Sequence, residues 1–160
     1  VITISDSRTI ENDTSGNTLE KRIIKSGHQI VNRTIIPDDV KNIQKTLETM
    51  SKEKEIDCII TTGGTGLTGR DTTPEAVKRI ANKYIDGFGE LFRQISFEKI
   101  GTSAIQSRAF AALINTTYVF CLPGSTGACK DGWDEILKYQ LDIRHKPCNF
   151  VEIMPRLNEK

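Results

Sequence analysis

Ile59-Ile60-Thr61-Thr62 runs unbroken into Gly63-Gly64-Thr65-Gly66, and Gly69 follows before Arg70-Asp71 and Thr72-Thr73-Pro74-Glu75-Ala76. A β-branched apolar run of this length reads as a buried strand. Threonine, an N1 proline and an early glutamate mark the start of a helix. A strand delivered through glycines to a helix is an α/β connection, and such a loop exposes amide N–H groups to an anion. Asp71 at its mouth repels a bare phosphate but suits a metal carried by one.

The rest of the chain repeats the alternation. Val1 to Ser5 reads as a strand, and because it begins at the first residue, further residues are expected upstream. A polar turn leads to a helix with Leu19, Ile23 and Ile24 on one face, ended by Gly27. His28 to Ile36 reads as a second strand. Val40, Ile43, Leu47 and Met50 recur at helical spacing and predict a helix to about Lys54. Asp57 to Thr62 is the third strand, and the next helix is capped by Thr73. Glu90 to Ile100 reads as a helix behind the interruptions Gly87 and Gly89. Arg108 to Ile114 and Thr117 to Leu122 read as a hairpin or neighbouring strands around Asn115-Thr116. Trp133 to Arg144 forms a last helix, and Lys146 to Lys160 an irregular tail. The expectation is one domain over residues 1–160: a three-layer α/β/α fold around a mostly parallel sheet. Ligands of such sheets lie beyond the C-terminal strand ends. Here those ends are Ser5-Asp6-Ser7, Pro37-Asp38-Asp39, Thr62 to Gly66 and Pro123-Gly124-Ser125, a composition suited to a polyanion with a metal.

Charge is balanced, with 22 Lys+Arg against 21 Asp+Glu and a net charge of +1, which argues against nucleic acid or a membrane surface as partner. No apolar run approaches a membrane span, and no secretory leader is read. The four cysteines, Cys58, Cys121, Cys129 and Cys148, lack metal-site spacing and are expected as buried free thiols in a reducing cytosol. His28 and His145 form no catalytic dyad and suit surface or capping positions. No G-x-S-x-G elbow is present.

Two known glycine loops fit imperfectly. Gly64-x-Gly66-x-x-Gly69 has the dinucleotide spacing, but its helix starts late, at Pro74. Gly64 to Gly69 begins a P-loop pattern, yet Arg70-Asp71 replaces the lysine and hydroxyl that would follow. Asp38 and Asp71 are the candidate acid pair, placed to hold Mg²⁺ against phosphate oxygens. The plainer alternatives are that Asp38 caps the following helix, unless Asp39 does, and that Asp71 pairs with Arg70 to stabilise the loop.

Thr62-Gly-Gly-Thr-Gly66, Arg70-Asp-Thr-Thr-Pro-Glu-Ala76, Gly87-Phe-Gly-Glu-Leu-Phe-Arg93, Ser107-Arg-Ala109, Pro123-Gly-Ser-Thr126 and Asp13-Thr-Ser-Gly16 together resemble the MoaB/Mog family of molybdenum cofactor biosynthesis. Phe97 to Ser107, Pro123-Gly-Ser-Thr126 and Lys146-Pro-Cys-Asn-Phe150 resemble the MoaB branch more than the Mog branch. The resemblance implies a molybdopterin-binding fold assembled as homo-oligomers, trimers or hexamers. It implies Mg-ATP-dependent adenylylation of molybdopterin with release of pyrophosphate, and so ATP and molybdopterin as substrates and Mg²⁺ as cofactor. The family's two functional acids fall on Asp38 and Asp71. Its pterin- and phosphate-binding positions fall on Thr62, Gly63, Gly64, Thr65, Gly66, Ser107, Pro123, Gly124 and Ser125. Arg70 is open to two readings, neutralising the leaving pyrophosphate or a surface role. Ala112 departs from the glycine usual in the family. Two rivals to the enzyme are a non-catalytic molybdopterin-binding protein or carrier of the same pathway, and a nucleotide-binding regulator without pterin.

Overall fold

The computed structural model describes residues 1–159. In chain order the elements are β1 (Ile2–Ile4), α1 (Thr14–Lys25), β2 (Thr34–Ile36), α2 (Val40–Met50), β3 (Cys58–Thr62), α3 (Thr73–Lys78), β4 (Lys83–Tyr84) and α4 (Asp86–Ile100). After a 3-10 stretch (Gly101–Gln106) come β5 (Phe110–Ile114), β6 (Thr117–Leu122) and α5 (Thr126–Asp131). A π-helical segment (Gly132–Leu137) joins α5 to α6 (Lys138–Gln140), and α7 (Phe150–Ile153) runs into a 3-10 turn (Met154–Arg156). The six strands form one sheet in the order β2-β1-β3-β6-β5-β4. The β2-β1-β3-β6 pairings are parallel, and β5 and β4 are added antiparallel.

Period-two alternation decides which helix each strand residue meets. Ile60, Phe120 and Leu122 face Leu19 and Ile23 of α1, Phe88 and Phe92 of α4, and Trp133 and Leu137. Ile59, Val119 and Cys121 face the other way, onto Ile43 and Leu47 of α2 and Ala76 and Val77 of α3. Helices therefore cover both faces, the expected three-layer arrangement, and each fully buried Leu or Ile contributes about 1.5–3 kcal/mol by burial. Ala112 is fully buried on the α2/α3 face, opposite Val119 on β6 and Tyr84 on β4.

Several expected boundaries shift. The second strand is only Thr34–Ile36. Residues 28–33 precede Thr34, the partner of Ile2, and wrap the end of α1 instead. There the His28 amide donates to the Ile23 carbonyl (3.2 Å), and the His28 ring stands edge-on to Trp133. The α2 helix stops at Met50, with Ser51 as its C-cap, rather than near Lys54. The α4 helix starts at Asp86, so Gly87 and Gly89 lie inside it. A Cβ on Gly89 would press to 2.5 Å from the Ala109 carbonyl, so this glycine lets α4 lie directly on the sheet. The last helix begins at Thr126 and ends at Gln140, with the π-helical segment inside it. Arg144 lies beyond its end, paired with Asp142.

Within the tail expected to be irregular, Phe150–Ile153 and Met154–Arg156 form short helical turns, and Lys160 lies outside the described residues. Asn149 caps α7 by accepting from the Glu152 amide (2.9 Å), and Phe150 packs on Tyr118 and Phe120. All four cysteines are free; Cys121 and Cys129 are buried and Cys58 half-buried, but Cys148 is exposed, contrary to expectation. Among the described residues no helix is long and apolar enough to cross a membrane.

Candidate functional site

The glycine loop leaves β3 as the sequence predicts, and its conformation explains its composition. Gly63 and Gly64 both have positive φ, 106° and 65°. A Cβ on Gly63 would collide with the Ile4 carbonyl, and one on Gly64 would lie 2.7 Å from Asp38 Oδ2. The Gly63 amide is spent on the Leu122 carbonyl (3.0 Å), and the Gly64 carbonyl accepts from the Thr73 amide (3.0 Å). The turn is thus anchored to β6 on one side and to the start of α3 on the other.

Asp39 caps α2, accepting from the Asn42 amide at 2.9 Å, which leaves Asp38 for another task. Asp38 Oδ1 accepts from the Thr72 amide (3.1 Å) and hydroxyl (2.7 Å). Thr72, not Thr73, is the N-cap of α3, and it makes no side-chain cap bond because its hydroxyl is given to Asp38. Asp71 Oδ2 accepts from the Thr68 amide (2.8 Å) and hydroxyl (2.6 Å), and it lies 2.7 Å from where a Cβ on Gly66 would be. Burial pushes the Asp71 pKa up. The Thr68 hydroxyl and amide, the Gly66 amide and the Arg108 charge outweigh it and hold the carboxyl below its ordinary value. Arg70 pairs with Asp6 in the loop after β1 rather than with Asp71. Asp6 Oδ1 in turn accepts from the Asp38 amide (3.3 Å), so one acid links the ends of β1, β2 and β3.

A cavity of about 510 Å³ opens over this loop. Gly63, Gly64, Thr65, Gly66, Asp71, Ser107, Pro123, Gly124 and Ser125 line it together, beside Phe92, Lys99, Ile100 and Asp131 from the covering helices. Two residues expected there are elsewhere. Thr62 is fully buried beneath the loop, its hydroxyl donating to the Pro123 carbonyl (3.0 Å) and lying 3.1 Å from Cys129 Sγ. Asp38 is half-buried on the Thr72 side of Gly64 and does not line the cavity. Burial pushes the Cys129 thiol up to about 11, so it is no nucleophile near neutrality.

Arg108 and Ser15 hold the cavity walls, and sequence reasoning did not assign either. Arg108 Nε donates to the Gly66 carbonyl (2.7 Å) and Nη2 to the Asp71 carbonyl (2.8 Å), while Nη1 pairs with Glu75. A guanidinium spreads its donors in a fixed fork, so one side chain pins both ends of the Gly66–Asp71 segment. Ser15 Oγ donates to the Gly124 carbonyl at 2.7 Å. The signals were present in Ser107-Arg-Ala109 and Asp13-Thr-Ser-Gly16, but nothing in one dimension says which carbonyls those side chains reach.

The donor set suits Mg²⁺, which takes one or two carboxylates and completes its shell with phosphate oxygens and water. The Thr72 bonds fall on one oxygen of Asp38 and the Thr68 bonds on one oxygen of Asp71, so each carboxylate has an oxygen outside those bonds. Among the described residues no three His, Cys, Asp or Glu side chains form a ready-made cage, so any such ion would depend on the substrate's phosphates.

Residues 1–143 match the family described as "Probable molybdopterin binding domain". Molybdenum cofactor biosynthesis protein B of Escherichia coli (strain K12) is 41% identical over 150 residues, covering 94% of this chain and 88% of that protein. The Bacillus cereus protein of the same name is 42% identical over 142 residues, covering 88% of this chain and 84% of its own. A crystal structure of a molybdenum cofactor biosynthesis protein B superposes with a TM-score of 0.88 at 38% identity, covering 99% of this chain and 94% of that one. The tungsten cofactor synthesizing protein MoaB from Pyrococcus furiosus gives 0.78 at 32% identity, with coverages of 99% and 94%. A family match over residues 1–143, a relative 41% identical over 94% of the chain and a structure superposing over 99% of it lead to one conclusion: this chain belongs to the MoaB/Mog family of molybdenum cofactor biosynthesis proteins.

Proposed function

We propose that this protein acts in molybdenum cofactor biosynthesis by binding molybdopterin and adenylylating it with Mg-ATP, releasing pyrophosphate. The observation that carries the reading is the meeting of Asp71, the glycine-loop backbone and the Ser107 and Ser125 hydroxyl-bearing segments around one cavity at the C-terminal strand ends. In the reaction a terminal phosphate oxygen of the pterin attacks the α-phosphorus of ATP. The bond to the bridging oxygen breaks, pyrophosphate leaves with that bond's electron pair, and the attacking phosphate, already an anion, has no proton to lose. Such transfers need alignment and charge neutralisation more than covalent help. The loop backbone and Ser107 and Ser125 bind and orient the phosphates. Asp71 and, from across Gly64, Asp38 would hold the divalent ion that comes with ATP, and Arg108 keeps Asp71 in register. Magnesium, when bound, supplies the positive charge that the α-phosphate and leaving group require.

Pyrophosphate release from ATP and molybdopterin tests the proposal, and release that rises with Mg²⁺ is expected. No release at any Mg²⁺ concentration, with bound pterin verified, would sink the enzyme and leave the carrier reading. The position of Asp38 outside the cavity favours that second reading. A homo-oligomer, trimer or hexamer, belongs to the same proposal. Exposed Leu67, Phe97 and Ile105 support it, and a monomeric mass in sedimentation would refute it.

A further inference from the structure

The cavity over the glycine loop has two ends of different chemistry. One is backbone, glycine and serine. The other lies between the last turn of α4 and the end of α5, where Lys99 Nζ meets Asp131 Oδ1 at 2.6 Å beside the apolar Ile100 and Ala128. Glu135 stands farther off, 4.0 Å from the same ammonium. The Asp131 side chain is 22% exposed and that of Lys99 45%. Half-exposed ion pairs of this kind contribute little to stability, so the pair is free to exchange partners with a ligand at small cost. From Ser125, at the loop end, to Asp131 the helical path advances about 9 Å, six residues at the α-helical rise. A fused ring system bearing a methylene phosphate spans a similar length.

We propose that the Lys99–Asp131 pair reads the edge of the pterin ring, an inference that rests on the molybdopterin-binding function proposed above. The pyrimidine edge of a pterin presents an exocyclic amine and a ring N–H, two donors side by side, followed by a carbonyl acceptor. A carboxylate accepts two parallel N–H bonds and an ammonium donates one, so Asp131 and Lys99 offer the complementary order: acceptor, acceptor, donor. Ile100 and Ala128 give the ring faces an apolar surface. The phosphate then reaches the loop with the pterin's orientation fixed, and specificity for the ring is set at the end of the cavity away from the chemistry.

The amide of Asn presents one donor and one acceptor, which matches a lumazine, where the exocyclic amine is replaced by oxygen. Affinities of wild type, Asp131→Asn and Lys99→Met would be measured for molybdopterin, hydroxymethylpterin phosphate and hydroxymethyllumazine phosphate, with thermal midpoints to verify folding. Wild type is expected to prefer the pterin phosphate over the lumazine phosphate by about tenfold or more, the scale of leaving one charge-assisted hydrogen bond unmade. Asp131→Asn is expected to reverse that preference and to weaken molybdopterin by a similar factor. Lys99→Met should weaken both probes equally, since both keep the carbonyl it meets. A merely structural ion pair would lower the thermal midpoint in both variants and leave the preference where it was. If molybdopterin binds wild type and Asp131→Asn equally well, the edge assignment is overturned while the proposed function stands. If wild type binds neither molybdopterin nor the probes, the proposed function falls, and this inference with it.

Discussion

Both ends of β3 open onto cavities, and the larger is at the wrong end for chemistry. At the N-terminal end, about 730 Å³ lies between His28, Asp57, Cys58 and Trp133. Burial pushes the Cys58 thiol up to about 12, which leaves it protonated and inert. At the C-terminal end the cavity is smaller, about 510 Å³, but backbone without side chains, hydroxyls and a carboxylate converge there, clamped by Arg108. Size marks where side chains fail to fill space. Converging polar groups held by their own hydrogen bonds mark where a ligand is placed.

Five measurements put that contrast to the test. The largest effect is expected from Asp71→Asn, which should cut adenylyl transfer by roughly 10²–10³-fold, the scale of removing one preorganised charge, with pterin affinity within about threefold. Cys58→Ala should leave the transfer rate unchanged, and if it does not, the two ends are not independent. Gly64→Ala comes next. A side chain at φ 65° pressed on Asp38 should destabilise by about 1–3 kcal/mol, read as a fall in urea midpoint. Arg108→Lys keeps the charge but loses the fork. It should raise the KM for the pterin about tenfold with little change in the pH profile. An unchanged KM would mean the clamp is not needed.

The smallest effect concerns pH. The folded pKa of Asp71 is depressed, so its contribution is present above the unfolded carboxylate value, near 3.9, and is lost as pH falls through the lower folded value. Protection of the Thr68 amide against hydrogen exchange should therefore disappear only below the ordinary carboxylate range. Loss near neutrality would contradict an ionised, hydrogen-bonded Asp71.

Local patterns were legible where one element supplies its own partners. The helix cap at Asp38 or Asp39, the Gly27 helix end and the β5–β6 pairing around Asn115-Thr116 satisfy themselves within a few residues, and the stripe of α2 shows in its spacing alone. What went unread depends on distant partners. Val31 and the other β-formers before Thr34 lack strand pairing, Lys83-Tyr84 becomes a strand only because β5 is there to pair with it, and Gly89 marks no helix break but the point where the Ala109 carbonyl leaves no room for a Cβ. Within the site, the glycines, Asp71 and Ser125 were legible from residue type at the strand ends, whereas Ser107 came only from the family resemblance. That Asp38 faces Thr72 rather than the cavity, and that Thr62 is buried beneath the loop, depend on side-chain direction, which composition does not carry.

The Ser15–Gly124 hydrogen bond joins residues 109 positions apart. The cavity's floor, from β3, and its wall, from the loop after β6, are thus tied to the first helix. The lining runs from Gly63 to Asp131 and is braced by Ser15, so no short fragment of the chain contains it, and binding and global folding are one linked equilibrium. A ligand at 100 times its Kd should add about 2.7 kcal/mol to the unfolding free energy of the whole domain, rather than stiffening one loop. The supply of substrate would then set how long the protein survives unfolding and degradation as well as how fast it works.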